Sequence, residues 1–216
     1  MASEDKKDQK KERGDHVRLG ELASIRSGLV LSRKQVKENG AFCYPALNMR
    51  SMDVHGHIDL EQLDRVETKE QLKPEYFTRR GDIVVKISTP YTSTLIDEST
   101  AGILIPSNFL IIRTQPGKLL PEYFYWLLNT TRIKNDLGRN SNGSVIGSVK
   151  AAYFSDLDIV PLPLEKQEKI AKLDRLAKRE AELLRRLADE KEKYYDRVLS
   201  RIQTDMRRGN QNDDEK

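Results

Sequence analysis

The chain has 216 residues, 33% of them charged, with a formal net charge of +4. That length accommodates one domain of about 150 residues plus one long accessory element. No apolar run approaches the roughly 18 residues of a membrane-spanning helix, so a membrane partner is not expected.

A single cysteine, Cys43, excludes an internal disulfide framework and fits a reducing, cytoplasmic setting. The mild basicity permits a nucleic-acid partner without demanding one, because both signs of charge are interspersed. Met1 to Lys11 is polar and charged and lacks the apolar core of a signal peptide. Residues 1–15 therefore read as a disordered, lysine-rich arm.

Val17 to Gly28 has the spacing of a short strand and then a helical turn closed by Gly28. Phe42 to Leu47 reads as a strand. Met52, Val54, Ile58 and Leu60 alternate around His55-Gly56, which is a hairpin signal. Gly81-Asp82-Ile83-Val84-Val85-Lys86-Ile87-Ser88 is the strongest strand, β-branched and opened by a turn. Thr89 to Thr94 is expected to be a loop beyond it. Gly102 to Ile105 and Phe109 to Ile112 follow as strands. Pro121 to Leu137 reads as one helix, with Pro121 in its first turn and Gly138 as its C-cap. Arg139 to Ser148 is expected to be a loop, and Leu157 to Val160 the last strand. No internal repeat is present.

Pro161-Leu162-Pro163 then stops the strand pattern and opens a helix that runs without Gly or Pro to Arg208. Ile170, Leu173, Ala177, Leu184, Leu187, Tyr194 and Val198 recur at the steps of a coiled-coil seam. The seam lapses at Glu180 and Lys191. Such a helix calls for a partner helix from another copy or another protein. The fold class is thus α+β. A mixed domain spans residues 16–163, a long coiled-coil spacer helix spans 164–208, and a disordered tail spans 209–216.

Catalytic patterns are missing from the sequence. It has no glycine-rich phosphate loop and no dinucleotide fingerprint. It also lacks the Asn-Pro-Pro-aromatic element with which an amino-methyltransferase holds a flipped base. His55 and His57 have no Cys or carboxylate cluster to complete a metal shell. Asp59 with Glu67 and Lys69 superficially resembles a nuclease set, but those residues read as a charged, non-strand stretch.

Nucleic-acid signals are stronger. No acidic residue occurs from Leu137 through Ser155, a stretch that follows Arg132 and Lys134. Arg139, Asn140, Asn142, Ser144 and Lys150 offer phosphate-binding charge and amides that read base edges. Lys86, Ser88, Thr89 and Tyr91 are expected to face DNA beside them. The competing reading of both stretches is an ordinary polar surface loop.

The Gly-Asp-Ile strand, Gly143-Ser144-Val145-Ile146, and Pro161-Leu162-Pro163-Leu164-Glu165-Lys166-Gln167-Glu168-Lys169-Ile170 before a long helix resemble the specificity (S) subunit of Type I restriction–modification systems. The likeness extends over about residues 17 to 205, and the Pro-Leu-Pro-x-x-x-Gln gate is its most specific part. It implies a target-recognition domain that grips DNA, with a helix that acts as spacer and as dock for methyltransferase (modification) subunits, and it allows a restriction subunit as a further partner.

The resemblance also implies that S-adenosylmethionine, ATP and Mg2+ serve those partners, and that this chain is non-catalytic. A typical member carries two such domains and two helices, whereas this sequence carries one of each. The resemblance therefore implies either a half-sized subunit that pairs with a second copy to read an interrupted palindrome, or one half of a longer protein. The alternative from another class is a coiled-coil interaction protein whose head binds protein instead of DNA.

Overall fold

The computed structural model describes residues 16–36, 38–88, 91–141 and 151–213. Its centre is the β-branched run predicted as the strongest strand, β6 (Ile83–Lys86). β6 lies in a four-stranded antiparallel sheet with β2 (Ala23–Ser27), β8 (Phe109–Thr114) and β7 (Ser93–Leu95), in the order β2-β8-β6-β7. Side chains alternate across such a sheet, and here both faces are covered. Ile83, Val85, Leu110 and Ile112 join one core cluster with Phe124, Ile133 and Phe154. Val84, Phe109 and Ile111 join a second with Leu47, Met52 and Ile105. Burying each such side chain fully stabilises the fold by roughly 1.5–3 kcal/mol.

A second sheet has the order β3 (Gln35–Val36), β5 (Asp64–Thr68), β4 (Phe42–Ala46). Ala46 and Val66 turn inward onto Leu29, Leu72 and Leu104. β1 (Val17–Arg18) pairs with β9 (Asp158–Ile159) and joins the start of the domain to the segment before the gate.

Several local expectations are corrected. Val17 to Gly28 begins as expected with a short strand, β1, and one 3-10 turn, Leu19–Glu21, but continues as strand β2 before Gly28. Gly28 ends that strand, and a Cβ there would lie 2.2 Å from the Pro106 carbonyl oxygen. This close approach, not a helix cap, explains the glycine. Ser93 and Thr94 belong to β7 and not to a loop. Gly102 to Ile105 forms no strand, only isolated bridges from Leu104 to Ala46 and Phe77. The stretch holding Glu67 is a strand, and β5 is central to its sheet because β3 and β4 pair with it from both sides.

The helix expected over Pro121 to Leu137 is two helices, α1 (Pro121–Leu128) and α2 (Thr131–Ser141). The Asn129 and Thr130 side chains donate to the Tyr125 and Leu127 carbonyls and end α1. Gly138 lies inside α2 instead of capping it, and Arg139 and Asn140 are helical. A further short helix, α3 (Ala151–Asp156), carries no clear signal in the sequence.

The long helix α4 spans Leu164–Asp213, about 75 Å at 1.5 Å per residue. The described chain divides into one unit ending at Ala171 and a second beginning at Lys172, so the first two turns of α4 belong to the first unit. Within it, Leu162, Ile170 and Ala171 pack on the helix-side core.

Candidate nucleic-acid interface

Lys86 does not face outward as the sequence suggested. It is 7% exposed, and its ammonium donates to the carbonyls of Met49, at 3.0 Å, and Met52. The reason is parity: alternation along β6 sends Lys86 to the same face as Val84, under the turn that Asn48 and Ser51 organise. Burial holds its pKa below the ordinary lysine value, and the nearby Asp53 charge offsets part of that.

Tyr91 is likewise buried, in the left-handed region at φ 54°, and packs into the helix-side core. Ser88 is half-buried and accepts at its carbonyl from the Tyr91 N–H. Thr89 lies outside the described residues, as do Asn142, Ser144 and Lys150.

Arg139 is exposed, and its setting is α2. Ile133 and Leu137 bury one side of this helix. Arg132, Asn135 and Arg139 are exposed at steps of three and four, which places them on one face. Among the described residues, no carboxylate lies within ion-pairing distance of Arg132, Lys134 or Arg139. The one acid of the helix, Asp136, accepts from the Tyr153 hydroxyl at 2.8 Å, which ties it to α3. Asn129 anchors the start of α2 by donating to Ser93 Oγ at 2.8 Å.

A rigid helix thus presents two guanidinium groups about 10 Å apart, with an amide between them. Neither is ion-paired among the described residues. Guanidinium groups bind phosphate or guanine edges, and the amide suits adenine. Asn135 is not singled out by the sequence reading, although its spacing from Arg132 and Arg139 carries the signal. The Asn140 backbone is helical too, and α2 ends at Ser141. Arg132 also lines a groove of about 420 Å³ with Tyr123, Trp126 and the His16–Asp158 pair.

The other constellations serve the backbone. Asp59 accepts from Glu61 N–H and the Gln62 side chain, and Glu67 accepts from Gly40 N–H. Asp53 Oδ1 accepts from both His55 and His57 N–H groups and shapes the turn at Gly56. Among the described residues, no three His, Cys, Asp or Glu side chains cluster as metal ligands would.

On the second unit, Leu173, Leu184, Leu187 and Tyr194 are 52–69% exposed, and Ala177 is exposed with them. Val198 is half-buried. Ile170, expected in the same seam, packs instead within the first unit, so the open seam begins at Leu173. Leu176, Leu183, Tyr195, Leu199, Ile202 and Met206 are also exposed and widen the apolar sector.

Comparison with known proteins fits both parts. A family model for the Type I restriction modification DNA specificity domain matches residues 12–190. No curated protein matches the chain. A chain solved in work on complex assembly and conformational transition of the type I R-M system is 20% identical with TM-score 0.60, over 80% of this chain and 44% of that one. The HsdS subunit from Thermoanaerobacter tengcongensis is 20% identical with TM-score 0.56, over 81% of this chain and 40% of that one. At that identity the likeness speaks to fold. This chain spans less than half the length of either structure. The family model reaches from before β1 into the long helix, and so the chain belongs to the family of Type I restriction–modification DNA specificity domains.

Proposed function

We propose that this chain recognises one half of a bipartite DNA target and delivers partner methyltransferase and restriction subunits to it. The observation that carries this reading is the family match over both the head and the helix. The exposed basic face of α2 supports it locally, with Arg132, Asn135 and Arg139 as the first contacts. Two copies pair through the α4 seam. Two-fold symmetry then presents identical domains in opposite senses, so the target is an interrupted palindrome.

In this reading S-adenosylmethionine, ATP and Mg2+ are used by the partner subunits. The chain's own residues bind and orient DNA and transfer no group. The test is a mobility shift on duplex DNA with the cognate methyltransferase subunit present, repeated across salt concentrations. The expected result is sequence-selective binding that weakens steeply with salt. The chain alone, given all three cofactors, should neither methylate nor cut DNA. Binding insensitive to both sequence and salt would remove the DNA reading.

A further inference from the structure

The two charges that interrupt the seam of α4 define how two copies meet. The seam positions are Leu173, Ala177, Glu180, Leu184, Leu187, Lys191, Tyr194 and Val198. Their steps alternate four and three, and the order reads the same from either end. Glu180 and Lys191 stand at mirror-related places in it. Both are exposed. Among the described residues, the ion pairs along the helix use other side chains: Glu165 with Lys169, Asp174 with Lys178, Arg179 with Glu182 and Glu190 with Lys193. Glu180 and Lys191 are therefore uncommitted charges in the middle of an apolar stripe.

Resting on the reading that two copies pair antiparallel through α4, we propose the register of that pair. Its two-fold axis passes midway between Leu184 and Leu187, and Glu180 of each copy faces Lys191 of the other. In that register every seam residue finds a suited opposite. Leu184 faces Leu187, small Ala177 faces large Tyr194, and Leu173 faces Val198. Ala181 and Ala188 flank the central layers and leave room for close approach of the helices.

Other arrangements fail on charge. A parallel, in-register pair sets Glu180 on Glu180 and Lys191 on Lys191, which is repulsive. Sliding one antiparallel copy by a heptad sets Glu180 against Leu184 or Val198, and Lys191 against Leu173 or Leu187. Each slide leaves four charges without partners in an apolar seam. Polar residues within a seam are a known means of choosing register at some cost in stability.

The full chain, with Cys43→Ser to remove the exposed native thiol, provides the test. Ala177→Cys with Tyr194→Cys should give a covalent dimer under mild oxidation. Either cysteine alone should not, because position 177 lies seventeen positions, about 25 Å, from position 177 of the other copy. Separately, Glu180→Lys or Lys191→Glu should each weaken the dimer about tenfold by sedimentation equilibrium, since each removes two ion pairs per dimer. The double variant Glu180→Lys/Lys191→Glu should restore it.

Cross-linking by either single cysteine variant, or no rescue by the double charge swap, overturns the register while a dimer still forms. A wild-type chain that sediments as a monomer overturns the homodimer itself and the register with it. DNA binding by the head is measured apart from both.

Discussion

Gln167 accepts a hydrogen bond from the backbone N–H of Leu120, forty-seven positions earlier, at 2.8 Å. The same side chain donates to the carbonyls of Lys118, at 3.1 Å, and Leu162, at 2.7 Å. It is fully buried. This latch gives the Pro-Leu-Pro-x-x-x-Gln gate its physical meaning: the prolines aim the chain and the glutamine fixes the helix root to the turn before α1. Gln167→Ala removes the partner of three part-buried backbone groups and leaves a gap where a fully buried side chain stood, so a loss on the order of 2 kcal/mol is expected. Gln167→Glu keeps the acceptor but turns a carboxylate toward two carbonyls, and should cost a similar amount. Urea unfolding checks both. A midpoint unchanged in either variant would show that the latch carries no stability.

Lys86 is expected to be a structural lysine. Lys86→Met should destabilise the domain by about 1–3 kcal/mol, since the buried Met52 carbonyl and the part-buried Met49 carbonyl lose their donor. It should leave the salt dependence of DNA binding unchanged. The pH dependence has a definite sign. Burial lowers the pKa of Lys86 in the folded state from the ordinary 10.5. Between the two pKa values the unfolded chain holds the extra proton, so the Lys86 contribution makes stability rise with pH through that window. The stability difference between wild type and Lys86→Met should therefore grow from neutral pH toward 10.5. Unchanged stability together with a shallower salt slope would mean that Lys86 reaches phosphate after all.

The α2 face predicts a division of labour. Arg132→Ala and Arg139→Ala should each weaken DNA binding and reduce the salt slope by about one for each phosphate left without its cation. Asn135→Ala should relax sequence preference with little effect on the slope. Fluorescence anisotropy across a salt series, with specific and scrambled duplexes, separates the two. All three variants behaving as wild type would remove α2 from the interface.

Length of the paired helix should set the gap between half-sites. Deleting Ala181 to Leu187 removes one heptad, and with it Leu184 and Leu187. It preserves the facing of Glu180 with Lys191, Ala177 with Tyr194 and Leu173 with Val198. The bundle shortens by about 10 Å, roughly three base pairs. The variant should keep its half-site and select a shorter gap, or lose tight binding if the accompanying rotation around the duplex is not absorbed. A deletion variant that dimerises and binds the original spacing at full affinity rules the helix out as a ruler.

The long helix, the gate and the β6 strand are legible in the sequence because each is a local pattern: no breakers for forty residues, Pro-x-Pro, a β-branched run. What is not legible depends on distant partners. Asp64-Arg65-Val66-Glu67-Thr68 is too charged to suggest a strand, yet two neighbours pair with it and bury Val66 and Thr68. Lys86 looks like a surface cation until the turn at Met49 to Met52 is folded over it. The break at Asn129 rests partly on Ser93, thirty-six positions away. Of the candidate contacts, Arg139 stands out from charge alone, whereas Asn135 emerges only once α2 is known to be a separate helix with Ile133 and Leu137 inward.

Sequencing the sites methylated when this chain is reconstituted with its methyltransferase subunit and S-adenosylmethionine decides whether two identical readers are related by a two-fold axis. One motif is expected: two inverted copies of a single half-site separated by a fixed gap of unspecified bases. An uninterrupted motif, or two unrelated half-sites, would contradict it.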